Sequence, residues 1–124
     1  MATIEGLQKI AREFVEKRDW QKFQTLKDLS MNSAIESSEL MEIFLWHDLN
    51  FEADIKNGRN PDIMKKIQNE ISDIFFTCLA MANELNFNLE DAFLNKMSEL
   101  DQRYDVEKVR GKIVKIPSPD HKEK

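Results

Sequence analysis

Apolar residues recur at three- and four-residue intervals through most of the chain, a spacing that gathers them on one side of an α-helix. Over 3–18, Ile4, Leu7, Ile10 and Phe14 trace such a side, preceded by Thr3 as an N-cap. Arg18-Asp19-Trp20 closes this helix and leads into a short connection. Thr25 and Asp28 make a capping-box-like start for a second helix, which runs to about His47. The polar stretch 48–60 contains Asn57-Gly58 and reads as a loop with room for one helical turn. Asn60-Pro61-Asp62 combines an N-cap, a proline at the first position and an early acid, and opens a third helix to about Leu85. Asn88 with Asp91 opens a fourth, ending near Tyr104. Residues 1–111 are expected to form one helical domain, and 112–124 a charged, loosely held tail.

The second helix departs from simple amphipathicity. Leu29, Ala34, Ile35, Leu40, Met41, Ile43, Phe44, Leu45 and Trp46 cover most directions around its axis, which predicts a buried helix. Asp28, Asn32, Glu36 and Glu39 nevertheless fall in one narrow arc, a thin acidic seam in an apolar cylinder. The third helix has a core stripe of Ile67, Ile71, Ile74, Phe75, Cys78, Ala82 and Leu85, with Glu70 and Asp73 along its border. Residues three apart point the same way, so each pair can aim two carboxylates at one point. Taken singly, either pair would be ordinary surface acids matched to Lys65, Lys66 or other lysines. Four carboxylates turned to one space repel one another and need compensation, which a hard divalent cation such as Mg²⁺ or Mn²⁺ supplies. A di-iron site would need Glu-x-x-His, but His47 follows Phe44 and His121 follows Ser118 at that spacing, which disfavours redox iron.

Composition narrows the class further. The 124 residues suffice for one domain, and three glycines and three prolines are too few for a turn-rich β fold, so the chain is expected to be all-α. Glu5, Lys9, Arg12 and Glu13 interrupt the N-terminal apolar residues and no stretch approaches the roughly 18 apolar residues of a span, so neither a signal peptide nor a membrane span is expected. The net charge of −5 argues against stable nucleic-acid binding but permits a phosphorylated small molecule bridged by metal ions. The single Cys78 sits among Ile74, Phe75 and Leu79, which predicts a core thiol and fits a cytoplasmic protein.

The ordered set of motifs resembles the MazG-like all-α nucleoside triphosphate pyrophosphohydrolases, in particular the small branch that includes dCTP pyrophosphatases. The resemblance runs from Arg18-Asp19-Trp20, Phe23 and Thr25 through Glu36-x-x-Glu39, Glu42, Phe44 and Trp46. It continues with Glu70-Ile71-Ser72-Asp73-Ile74 and ends at Lys96-Met97, Arg103-Tyr104 and Val106-Glu107-Lys108. It implies a four-to-five-helix MazG-like bundle assembled as a homodimer or homotetramer. It also implies Mg²⁺-dependent cleavage of a nucleoside triphosphate, dCTP or a modified nucleotide among the candidates, to a monophosphate and pyrophosphate. Glu36, Glu39, Glu70 and Asp73 would then be catalytic metal ligands, with Glu42 an auxiliary. Lys96, Arg103 and Tyr104 would contact phosphate, and Trp20 and Trp46 would wall the base pocket. Gln24, Leu26, Leu100 and Asp105 depart from the family's usual His, Pro, Asn and Pro, which bears on nucleotide preference. The alternative is a non-catalytic nucleotide-sensing or partner-binding module of the same fold.

Overall fold

Five of the six helices begin in the same way. In the computed structural model, which describes residues 2–119, Thr3, Thr25, Asp48, Asn60 and Asn88 each turn a side-chain oxygen onto the backbone N–H three residues later. Each thereby satisfies one of the donors that a helix start leaves unpaired. The resulting elements are α1 (Ile4–Lys17), a 3₁₀ turn (Gln21–Phe23), α2 (Leu26–Phe44), α3 (Leu49–Lys56), α4 (Pro61–Glu84), α5 (Leu89–Arg103) and α6 (Val106–Val109). No strand occurs among the described residues, and none of the helices is long and apolar enough to cross a membrane.

Three helices also stop in the same way. Asp19, Gly58 and Asn86 take left-handed φ values of 53°, 74° and 55° just past α1, α3 and α4. At each stop, two N–H groups fold back onto carbonyls of the last turn, as in Trp20 to Val15, Arg59 to Asp54 and Phe87 to Ala82. Aspartate and asparagine serve at two of these positions because their short polar side chains tolerate the left-handed region.

The stretch 48–60, expected to be mostly loop, holds the eight-residue α3. Its hydrophobic residues are too few for a recognisable stripe, but Phe51 meets the Phe44 and His47 rings and Ile55 is buried. Tertiary contact thus stabilises a helix too short to persist alone.

The chain divides into two units, 1–87 and 88–124. In the first, α1, α2 and α3 pack against α4, which is 24 residues long. Its core is made of small and medium side chains, among them Ala11, Val15, Leu29, Ile43, Leu79 and Ala82. Buried Gln8 and half-buried Asn83 lock α1 to the end of α4. Gln8 Nε2 donates to Asn83 Oδ1 and to the Phe87 carbonyl, while Asn83 Nδ2 donates back to the Gln8 carbonyl. In the second unit, α5 and α6 are followed by an irregular segment over 112–119. The Tyr104 hydroxyl donates to the Ile116 carbonyl and accepts from its N–H, at 3.3 and 3.2 Å. Positions 120–124 of the expected tail lie outside the described residues.

Two burial expectations fail. Of α2, only Leu29 and Ile43 are buried, while Ile35, Met41 and Leu45 are each more than half exposed. Cys78 is exposed rather than in the core. It lies on a line with Ile71 and Leu85, each 51% exposed, and the seven-residue spacing of the three marks one uncovered face of α4. Of the expected core stripe of α4, Ala82 is buried while Ile71, Cys78 and Leu85 are not, and Thr77, Leu79 and Ala80 join Ala82 on the buried face.

Candidate metal centre

Because α2 lies along α4, the acidic seam of one meets the acidic border of the other. Glu36, Glu70 and Asp73 each place a carboxylate oxygen within 4.8 Å of the others. Glu39, one turn beyond Glu36, stands close enough for its carboxylate to act on both Glu36 and Glu70. Glu36 and Glu70 are half-buried, whereas Glu39 and Asp73 are exposed. Three of the four acids singled out by their spacing are therefore brought together, with Glu39 beside them.

Such crowding has an electrostatic consequence. Partial burial, followed by the Glu39, Asp73 and Glu70 carboxylates, raises the Glu36 pKa from an ordinary 4.5 to about 7. Glu70 is raised for the same reasons, with desolvation first and Glu39 next. Oε2 of Glu36 and Oε2 of Glu70 are buried with no hydrogen-bond donor among the described residues. An oxygen-only donor set with unsatisfied buried lone pairs and surplus negative charge fits a hard divalent cation such as Mg²⁺ or Mn²⁺.

Two openings lead from this group. One is an apolar groove of about 480 Å³ between α1 and α4, walled by Leu7, Ile10, Phe14, Phe75 and Phe76 and reaching Asp73. The other is a polar cleft of about 430 Å³, bounded by Glu39, Glu42, His47, Lys66 and Glu70. A smaller polar cavity of about 200 Å³ shares Ala11 with the groove and is lined by Arg12, Gln21, Gln24 and Asn83. The Oε1 atom of Gln24 is buried and has no hydrogen-bond donor among the described residues.

The remaining predicted site residues fall as follows. Trp20 packs edge-on against Phe14 of the groove, with ring centroids 5.8 Å apart. Trp46 is 87% exposed. Glu42 lines the polar cleft. In the second unit, Lys96 and Arg103 share Glu99, at 3.2 and 3.5 Å, and the Arg103 guanidinium lies 5.1 Å from the Tyr104 ring centroid. Sequence reasoning missed Phe14 as a groove wall, Glu99 as the holder of two cations, and His47 and Lys66 as cleft residues. Lys66 precedes Glu70 by one helical turn, a spacing that could have flagged it.

The chain as a whole is similar to proteins of known kind. The profile of the MazG-like family matches residues 31–114. Over 116 residues the chain is 30% identical to dCTP pyrophosphatase 1 of Mus musculus, covering 91% of this chain and 65% of that protein. The human dCTP pyrophosphatase 1 is 28% identical over 119 residues, covering 96% of this chain and 69% of that one. The chain thus spans about two thirds of the length of these relatives. The crystal structure of a pyrophosphatase from Archaeoglobus fulgidus superposes with a TM-score of 0.71 at 28% identity, covering 85% of this chain and 94% of that one.

Proposed function

The chain belongs to the MazG-like family, and from that premise we propose that it is a Mg²⁺-dependent nucleoside triphosphate pyrophosphohydrolase, with Mn²⁺ as a possible substitute. The observation that carries this reading is the convergence of Glu36, Glu70 and Asp73 within 4.8 Å, joined by Glu39. These four side chains would hold the cation. A bound cation would supply charge neutralisation of the triphosphate and a water of lowered pKa, the two demands of attack at the α-phosphorus. The products are a nucleoside monophosphate and pyrophosphate.

The chain's own residues supply orientation. The groove at Phe14, Phe75 and Phe76 offers aromatic faces to a base and ends at Asp73, and Trp20 backs it through Phe14. Gln24, whose buried oxygen lacks a donor among the described residues, lines the adjoining cavity that shares Ala11 with the groove, and its departure from the family pattern bears on nucleotide choice. dCTP or a modified nucleotide is the leading substrate class, in keeping with the relatives' name. Lys96, Arg103 and Tyr104 would contact phosphate, with Glu99 holding both cations ready. The catalytic domain occupies 1–111, with 112–124 as its tail.

A homodimer or homotetramer suits the exposed apolar faces of α2 and α4, and a second copy would cover Trp46 and give it a place in the base pocket. A reducing cytoplasm suits the free, exposed Cys78.

A panel of canonical and modified nucleoside triphosphates with Mg²⁺ and a pyrophosphate readout tests the reading. Glu39→Ala and Asp73→Ala should each lower turnover by about a hundredfold or more while circular dichroism stays helical. Full activity in either variant would remove the assignment. Nucleotide binding without pyrophosphate release would instead place the chain among non-catalytic sensors of the same fold.

A further inference from the structure

The two openings from the carboxylate group differ in chemistry, and that difference gives the site a direction. The groove that counts Asp73 among its lining residues is apolar and aromatic. The cleft lined by Glu39, Glu42 and Glu70 is polar, and Lys66 and His47 are the cation and the imidazole that share its wall with these acids. Both openings lie along α4, where Phe76 and Lys66 are separated by ten residues, or about 15 Å of helix rise. Glu70 and Asp73 stand between them.

Lys66 is not committed elsewhere. Ion pairs among the described residues join Lys9 to Glu13, Arg59 to Asp54, Lys96 and Arg103 to Glu99, and Arg110 to Glu107, but none involves Lys66. Its helical neighbour Glu70 follows it by four residues, the less favourable order for a Lys–Glu pair. Lys66 is exposed, so its side chain is free to reach a ligand at the mouth of the cleft. His47 is held in place differently. Its ring stacks on Phe51 at 3.9 Å between centroids and 16° between planes, so α3 fixes its position on the cleft wall.

We propose that this cleft is the seat of the β- and γ-phosphates, in which Lys66 binds the departing pyrophosphate and His47 donates a hydrogen bond to it. The inference rests on the pyrophosphohydrolase reading and adds a polarity to it: base toward Phe14, scissile bond at the four acids, pyrophosphate toward Lys66. In the balanced step, water adds to the α-phosphorus, the bond to the bridging oxygen breaks, and that oxygen leaves with the pyrophosphate. Lys66 and His47 meet the charge that accumulates on the leaving group, and no covalent bond to either residue forms. A cation and a hydrogen-bond donor are what such an anion requires beyond a metal ion.

Product inhibition separates this role from a general one, because the two products occupy opposite ends of the site. In Lys66→Ala, inhibition by pyrophosphate with Mg²⁺ should weaken by about tenfold or more, and KM for the triphosphate should rise alongside it. Inhibition by the nucleoside monophosphate should remain at the wild-type level, and Lys66→Arg should restore most of the pyrophosphate affinity. His47→Ala should act in the same direction with a smaller effect. Unchanged pyrophosphate inhibition in Lys66→Ala, with wild-type turnover intact, would overturn the cleft assignment and leave the pyrophosphohydrolase reading standing. Equal weakening by both products would also overturn it, since Lys66 would then act on the whole site. Absence of pyrophosphate release by the wild-type protein would remove both readings together.

Discussion

Glu36 shows how a single side chain can record what a site is for. Its pKa of about 7 lies above the 4.5 of an exposed glutamate, so the folded, metal-free chain holds a proton there that the unfolded chain has lost. The sign of the linkage follows. Between about pH 4.5 and 7 the folded state binds more protons, so metal-free stability is expected to fall as pH rises through that window. Glu70, also raised, acts in the same direction. Urea melts of the metal-free protein at pH 5, 6, 7 and 8 check this, and a flat profile would contradict it. Glu36→Gln should flatten the profile, because the neutral amide removes one of the crowded charges. Added Mg²⁺ should stabilise the wild type more at pH 8 than at pH 6, since the cation competes with that proton, and should stabilise Glu36→Gln less.

At the scale of elements, helix ends and short-range rings decide where the site residues stand. The five side-chain caps act locally and need only the residue at the start and the N–H three positions on. The left-handed stops act locally too, but their residues are not always glycine. Asn86 adopts a φ of 55° and aims the chain so that the Phe87 carbonyl accepts from buried Gln8. Asn86→Val should therefore destabilise the protein by about 1–2 kcal/mol, because a β-branched residue is strained in that region. Asn86→Gly should be close to neutral. Chemical denaturation of both variants checks the contrast. The short α3 owes its stability to Phe51 and Ile55 rather than to its own propensity, and this is why the stretch 48–60 read as a loop. Its role at the site is to hold His47.

For the molecule as a whole, what the single chain leaves uncovered matters as much as what it buries. Ile71, Cys78 and Leu85 repeat at a heptad interval on α4, and Ile35, Met41 and Leu45 are exposed on α2. Apolar surface of this kind is expected to be buried by self-association. Ile71→Glu should shift the protein toward monomer in sedimentation analysis, whereas Lys66→Ala should not. An unchanged assembly in Ile71→Glu would remove that face of α4 from the interface. The same uncovered faces explain why an apolar pattern misassigned Cys78 to the core. Periodicity reports which residues prefer to leave water, not whether they do so within one chain or between copies.

The sequence by itself determined the four long helices, their caps and the two acidic pairs, because each depends on interactions spanning three or four residues. It also carried the family resemblance, since the ordered motifs are a one-dimensional property. Only the tertiary structure decided that Glu36 of α2 meets Glu70 and Asp73 of α4, with Glu39 beside them, rather than each pair facing water alone. That register depends on how α2 and α4 pack with Leu29, Ile43 and Leu79 buried, a long-range fit that no local pattern encodes. The same packing opened an apolar groove on one side of the acids and a cleft with Lys66 and His47 on the other. The direction proposed for the substrate therefore comes from the packing of helices, whereas the carboxylates that would hold its metal ion were already legible in their spacing.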